Sequence, residues 1–219
     1  MKWPFTETLE YKRDVMIREH LLGRGIRDQA VIGAMREVPR EAFIDAELAG
    51  LAYEDHPLAI AGGQTISQPY IVAYMTEALE LTGTERVLEI GTGSGYAAAI
   101  LSRIVTTVYS VERLDVLARS ARERLKRLGY KNIIIHEGDG TLGWAEHAPY
   151  DAIVVTAGAP SVPQPLLEQL AVGGRLVIPV GRTYDVQMLV RVRRVGERDY
   201  RHEELCGVRF VPLIGAAGW

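Results

Sequence analysis

A doubly wound α/β fold with a mostly parallel sheet is predicted by this sequence, and three observations carry the prediction. From residue 86 onward, short runs rich in β-branched residues alternate with helical runs. The first of these runs passes through a glycine turn, Gly91-Thr92-Gly93-Ser94-Gly95, directly into a helical segment. Acidic residues then follow the next two runs, at Glu112 and Asp139. Such alternation demands right-handed crossovers, which place helices on both faces of the sheet. Ligands of sheets built this way sit beyond the carboxyl ends of the strands, so chemistry is to be sought there.

The elements follow in order. Two amphipathic segments open the chain, over about 7–22 and 28–38, the first stopped by Gly23 and Gly25. Asp28 is placed to cap the second, Val31, Ile32, Met35 and Val38 supply its apolar stripe, and Pro39 ends it. Residues 39–69 are irregular and punctuated by Pro57, Gly62, Gly63 and Pro69. A loop that long inside a compact domain is expected to carry function. After a helix over about 70–81, strands are expected at 86–90, 107–111, 132–136, 152–156 and 175–180, with helices at 96–105, 115–128 and 165–170 between them. Runs 185–195 and 205–211 read as a C-terminal antiparallel strand pair, a hairpin or a sheet edge. With no repeat and no linker, the 219 residues are read as one domain. It comprises N-terminal helices and a loop (1–80), an α/β core (81–181) and C-terminal strands (182–219).

Composition excludes several function classes. The 25 basic and 28 acidic residues leave no basic footprint for a phosphate backbone or an anionic membrane, so no nucleic acid and no membrane partner is expected. No window has the apolar length of a membrane span. Charges from Glu7 to Asp14 leave no room for the apolar core of a signal peptide. Cys206, the only cysteine, cannot form an intrachain disulfide; it reads as a small buried hydrophobe, and a cytoplasmic setting is expected. The five histidines, His20, His56, His136, His147 and His202, lack ligand spacing, so no metal is expected. A monomer is the default.

The glycine turn is a nucleotide-cradling device. Glycine at 91 and 93 lets the backbone turn tightly and approach a ligand where a Cβ would intrude. A dinucleotide fingerprint requires a third glycine where Tyr96 stands, so the spacing here is G-x-G-x-G, preceded by Glu89. That pattern suits S-adenosylmethionine, which has no pyrophosphate to seat. Glu112 stands about 20 residues after the turn, where its two oxygens can accept the ribose hydroxyls. Asp139, between Gly138 and Gly140, can accept from an exocyclic adenine amine. The expected cofactor residues are therefore Glu89, Gly91, Thr92, Gly93, Ser94, Gly95, Glu112, Asp139 and Gly140. Each position alone has a bland reading, Glu112 as a surface ion pair and Asp139 as a turn residue. Their placement after successive strands is what those readings leave unexplained. The 152–156 strand is followed by Ala157-Gly158-Ala159-Pro160, without the Asn/Asp-Pro-Pro-aromatic motif common among enzymes that methylate base amino groups.

Further segments carry a specific resemblance. Gly63-Gln64-Thr65-Ile66-Ser67-Gln68-Pro69-Tyr70, Val38-Pro39-Arg40-Glu41-Ala42-Phe43, the run 88–96, Gly138-Asp139 and Thr156-Ala157-Gly158-Ala159-Pro160 resemble the protein-L-isoaspartate O-methyltransferases. So do the tail runs 174–181 and 208–213, so the likeness covers nearly the whole chain. The glycine turn is shared with many methyltransferases; loop 64–69 and tail 210–213 are more restrictive. The resemblance implies a Rossmann-like, S-adenosylmethionine-dependent methyltransferase fold acting on the free carboxylate of isoaspartyl residues in damaged proteins. The ester then collapses to a succinimide, whose hydrolysis returns some normal aspartate. It further implies Ser67 as the catalytic-site residue, with Thr65, Ser67, Val211, Pro212 and Leu213 on the substrate.

The chemistry implied is undemanding in protons. An α-type carboxyl titrates at roughly 3.3–3.7 and is already ionised at neutrality, so no general base is needed. Positioning is the task, and Thr65 and Ser67 offer short hydroxyl donors for it. No histidine stands in sequence with Ser67, so a covalent serine intermediate is not expected. Ser67 is also placed to cap the helix near Tyr70, a compatible role. Two other functions fit the cofactor strands: a small-molecule carboxyl O-methyltransferase, and a nucleotide-binding module without catalysis.

Overall fold

The computed structural model describes residues 8–183 and 185–219, so Glu7, where the first helix was expected to start, lies outside the described residues. Helix α1, Leu9–Val15, is capped by Thr8, whose hydroxyl accepts the Tyr11 amide at 3.2 Å. It runs on as a π-helical turn, Met16–Leu21, and a 3-10 turn, Leu22–Arg24. Gly25 then ends the helix at φ 99°. In α2, Gln29–Glu37, the expected Asp28 cap accepts the amides of Ala30 and Val31 at 2.8 and 3.3 Å.

The long loop is ordered locally. It contains 3-10 turns at Arg40–Phe43 and Ala46–Leu51 and a two-stranded hairpin, β1 Leu58–Ala59 with β2 Thr65–Ile66. Helix α3, Pro69–Ala78, starts immediately beyond it. Here one expectation is corrected: Ser67 does not cap α3. The N-cap is Gln68, because Pro69 already occupies the first helical position, and Ser67 falls one residue too early. Asp55 does the capping from a distance, accepting the Tyr70 amide at 3.3 Å and the Gln68 side-chain amide at 2.8 Å.

The core alternates as expected: β3 Arg86–Ile90, α4 Tyr96–Ser102, β4 Thr107–Glu112, α5 Asp115–Arg127, β5 Ile133–Glu137, β6 Tyr150–Val155, α6 Gln164–Gln169 and β7 Leu170–Val180. The tail adds β8 Gln187–Arg194 and β9 Tyr200–Val208. Strand order is β5-β4-β3-β6-β7-β8-β9, the first five parallel and the last two antiparallel. The chain leaves β3 toward β4 and returns to its other side at β6, so the switch point lies between β3 and β6.

Two strands depart from their expected bounds by more than two residues. β7 begins at Leu170 rather than 175, because a register shift against β6 absorbs the extra residues around Gly173. β9 begins at Tyr200 and ends at Val208, earlier at both ends than the 205–211 run. Its Arg201 to Glu204 stretch is exposed, so the apolar signal that marks a strand is missing where pairing with β8 begins.

On one face of the sheet Val87, Val108, Val154 and Val177 pack against Met75, Leu79, Ala98 and Leu101, and outside that layer Met16, Ile17, Leu21, Met35 and Phe43 pack with Tyr96 and Ile100. The other face carries Leu88, Ile90, Tyr150, Ile153, Leu166 and Leu176. This packing presses the N-terminal helices and the β1–β2 hairpin against the helix that follows the glycine turn, and so brings Thr65 and Ser67 to the strand tips. Among the described residues no helix is long and apolar enough to cross a membrane.

Candidate active site

The glycine turn lies beyond the tip of β3, and its shape depends on the absence of one side chain. Gly91 adopts φ 95°, and a Cβ there would lie 2.4 Å from Thr156 Oγ1. That hydroxyl donates to the carbonyls of Ile90 and Gly91 at 3.0 and 2.8 Å, locking the turn to the tip of β6. Gly140 makes a second close approach, since a Cβ there would fall 2.5 Å from Ile90 Cγ2. Between these two backbones a cavity opens, lined by Gly91, Thr92, Gly93, Ser94, Glu112 and Gly140.

Glu112 is 7% exposed and holds the turn from β4. One carboxylate oxygen accepts the Gly93 amide and the other the Leu114 amide, both at 2.9 Å. A carboxylate oxygen has two acceptor sites, so each keeps one for a ligand hydroxyl. Glu112 thus ends β4 one strand over from the turn, with its carboxylate at the cavity wall.

Three of the nine residues expected at the cofactor, Glu89, Gly95 and Asp139, are not among those that line the cavity. Gly95, at φ 88°, starts α4 under the turn. Glu89 is completely buried; Ser110 Oγ donates to its Oε2 at 2.5 Å, and Thr92 Oγ1 lies 2.6 Å from Ser110 Oγ. Its other oxygen, Oε1, has no hydrogen-bond partner among the described residues. Burial, aided by the nearby charge of Glu112, pushes the Glu89 carboxyl up to about 8. Glu89 therefore underpins Thr92 from below, because alternate strand residues face opposite sides of the sheet. Asp139 caps the turn after β5: Oδ1 accepts the Thr141 amide and hydroxyl at 2.9 and 2.7 Å, and Oδ2 accepts the Ala216 amide at 2.7 Å. Partial burial works to raise the Asp139 pKa, but these hydrogen bonds outweigh it and hold the carboxyl below its ordinary value.

The C-terminal segment closes the cavity. Gly158 and the tail exchange backbone hydrogen bonds: the Gly158 amide donates to the Val211 carbonyl, and the Leu213 amide donates to the Gly158 carbonyl, both at 2.8 Å. These bonds lay Val211, Pro212 and Leu213 along the cavity. The buried Gln187 side chain grips both backbone groups of Phe210, donating to its carbonyl at 3.1 Å and accepting its amide at 2.8 Å. Gln187→Ala removes both bonds; catalytic efficiency is expected to fall on the order of tenfold, since each bond contributes about 1 kcal/mol to holding the tail. Steady-state kinetics beside a thermal melt checks this, and unchanged kinetics would show that the tail holds itself.

A second cavity runs along β9, lined by Arg24, Gln68, Tyr70, Cys206 and Phe210 among others. It shares Thr65, Ser67, Thr156 and Val211 with the first. Ser67 is half-buried, and its hydroxyl makes no hydrogen bond among the described residues. Cys206 is half-buried in this groove, more open than expected, and burial raises its thiol pKa. Sequence reasoning missed Gln187, Asp55 and the bracing by Thr156. Only the position of Thr156, at a strand tip, could have signalled its part.

A parallel sheet with this switch point, a G-x-G-x-G turn and an acidic residue one strand over defines an S-adenosylmethionine-dependent methyltransferase. The family model for protein-L-isoaspartate(D-aspartate) O-methyltransferase matches residues 12–218, and the chain belongs to that family. Similar curated proteins include protein-L-isoaspartate O-methyltransferase 2 of Pelobacter propionicus, 73% identical over all of this chain and 97% of that protein. The corresponding protein 1 of Geotalea uraniireducens is 69% identical over the full length of both. A solved protein-L-isoaspartate O-methyltransferase superposes with a TM-score of 0.85 at 32% identity, over 94% of this chain and 67% of that one. A putative Plasmodium falciparum relative, solved in complex with S-adenosyl-L-homocysteine, gives 0.79 at 28% identity, over 93% and 98%.

Proposed function

We propose that this enzyme transfers the methyl group of S-adenosylmethionine to the free carboxylate of isoaspartyl residues in damaged proteins and peptides. The observation that carries this reading is the meeting of two cavities at Thr65, Ser67, Thr156 and Val211. A donor in the first and an extended peptide in the second would face each other at the Ser67 hydroxyl.

The first cavity fits the cofactor. Gly91, Thr92, Gly93 and Ser94 would cradle its amino-acid side, Glu112 would take the ribose hydroxyls, and Gly140 leaves room beside the adenine. Asp139 serves the same end of the site by bracing the turn before Gly140 and tying down the tail. Glu89 and Gly95 shape the glycine turn. When bound, the cofactor supplies an electrophilic methyl group on a sulfonium. What remains for the chain is orientation. Ser67 and Thr65 donate hydrogen bonds that aim one carboxylate oxygen, Val211, Pro212 and Leu213 hold the peptide backbone, and the closed tail keeps water out. No proton has to move, because the acceptor is already ionised.

Ser67→Ala is expected to lower kcat by roughly ten- to a hundredfold, the loss of one or two orienting hydrogen bonds to a charged acceptor, with affinity for S-adenosylhomocysteine nearly intact. The test uses an isoaspartyl peptide, its normal aspartyl twin and labelled cofactor. Transfer to a small carboxylic acid but to neither peptide would support the small-molecule alternative and sink this one. We also read the chain as one catalytic domain acting as a monomer, since one chain brings every proposed residue to a single site, and its single cysteine fits a reducing, cytoplasmic setting.

A further inference from the structure

Among the described residues that line the groove along β9, only Arg24 and Arg209 carry a formal charge, and none is a carboxylate. Arg24 is held in place. Its guanidinium lies 3.5 Å from the centroid of the Tyr70 ring, and Nη1 is 2.6 Å from Asp55 Oδ2. A guanidinium has five N–H donors, so pairing through one nitrogen leaves others facing the groove. Asp55, only 16% exposed, offsets most of this positive charge, so Arg24 offers the groove directed N–H donors more than net charge, and the net charge comes from Arg209. Arg209 lines the same groove, exposed and without a hydrogen bond or ion pair among the described residues. Two guanidinium groups thus line a groove that also holds Ser67 and Val211, where the proposed function puts the reacting carboxylate.

We propose that this groove is a charge-selective subsite in which Arg24 and Arg209 favour an acidic side chain next to the isoaspartyl residue. This rests on the peptide reading above and deepens it. Arg24 is the pre-set part, since stacking and pairing remove most of its rotamer freedom before substrate arrives. Arg209 is the adaptable part, swinging from the strand's end. Peptides with lysine or arginine at the same place meet like charge and are disfavoured.

The test is a set of isoaspartyl peptides identical except at the residues on either side of the isoaspartate, carrying glutamate, glutamine or lysine there. The wild-type enzyme is expected to show a KM for the best glutamate peptide roughly fivefold below that of its lysine twin at low ionic strength, as two partly exposed ion pairs allow, shrinking in high salt. Arg209→Gln and Arg24→Gln are each expected to narrow the ratio, and Arg209→Glu to turn it toward lysine, with S-adenosylhomocysteine affinity unchanged. Arg209 is on the surface, so its variants stay informative if Arg24→Gln folds poorly. A wild-type KM independent of flanking charge, or a preference that both Arg209 variants keep in full, would overturn the proposal. Failure of all isoaspartyl peptides to accept methyl would instead overturn the functional reading, and is recognisable because no flanking residue rescues it.

Discussion

Gly91→Ala is expected to abolish measurable methyl transfer and to destabilise the fold. At φ 95° an alanine is strained by about 1–2 kcal/mol, before any contact is considered. Its Cβ would also sit 2.4 Å from Thr156 Oγ1, a short side chain tethered to two carbonyls and unable to swing away without losing both bonds. Overpacking of this kind costs about 1–3 kcal/mol more, so the total is on the order of 3 kcal/mol. Relief can come only by moving the turn off β6, which displaces the Gly93 amide from Glu112 and opens the cradle. Titration calorimetry with S-adenosylhomocysteine and a denaturant melt check both halves. Wild-type affinity in a stable Gly91→Ala protein would mean that the turn is not the cofactor's seat.

The second large effect concerns Glu89. Its carboxyl titrates near 4.5 when exposed and is raised to about 8 in the fold, chiefly by burial. Between those values the folded protein binds a proton that the unfolded chain has released. Stability from this group is therefore complete below about pH 4.5 and is lost as pH rises through about 8. The loss approaches about 1.4 kcal/mol per pH unit inside that window. Glu89→Gln mimics the neutral form: its carbonyl can accept from Ser110, and its amide takes the place of the partnerless oxygen. The wild-type melting temperature, measured relative to this variant, is expected to fall between pH 5 and pH 9 by on the order of 10 °C. A difference that stays flat across that range would show that Glu89 is ionised throughout. Cofactor affinity should survive in the glutamine variant, because Ser110 and Thr92 keep their anchor.

Much of this was legible in the sequence because it is written in local patterns. Alternating apolar runs announced the parallel strands, Asp28 its helix cap, and the interval from Gly91 to Glu112 an acidic residue one strand over. Other features left no local trace. Ser67 satisfies the capping rule on paper, yet Pro69 shifts the helix start and Asp55 takes the role from the preceding loop. Glu89 and Asp139 stand where cofactor ligands are expected; strand alternation turns Glu89 into the interior, and Asp139 accepts the Ala216 amide of the tail.

By itself the sequence determined the kind of sheet, the place of the glycine cradle, the family resemblance and the identity of the serine-bearing loop, since each depends on residues adjacent in the chain. Only the tertiary structure decided which acidic side chains face the cavity and that Gln187 and Gly158 hold the tail. It alone brought Arg24 and Arg209 to one groove, 185 positions apart in the chain. Such contacts arise from the packing of segments remote in sequence, and no period, spacing or cap rule encodes them.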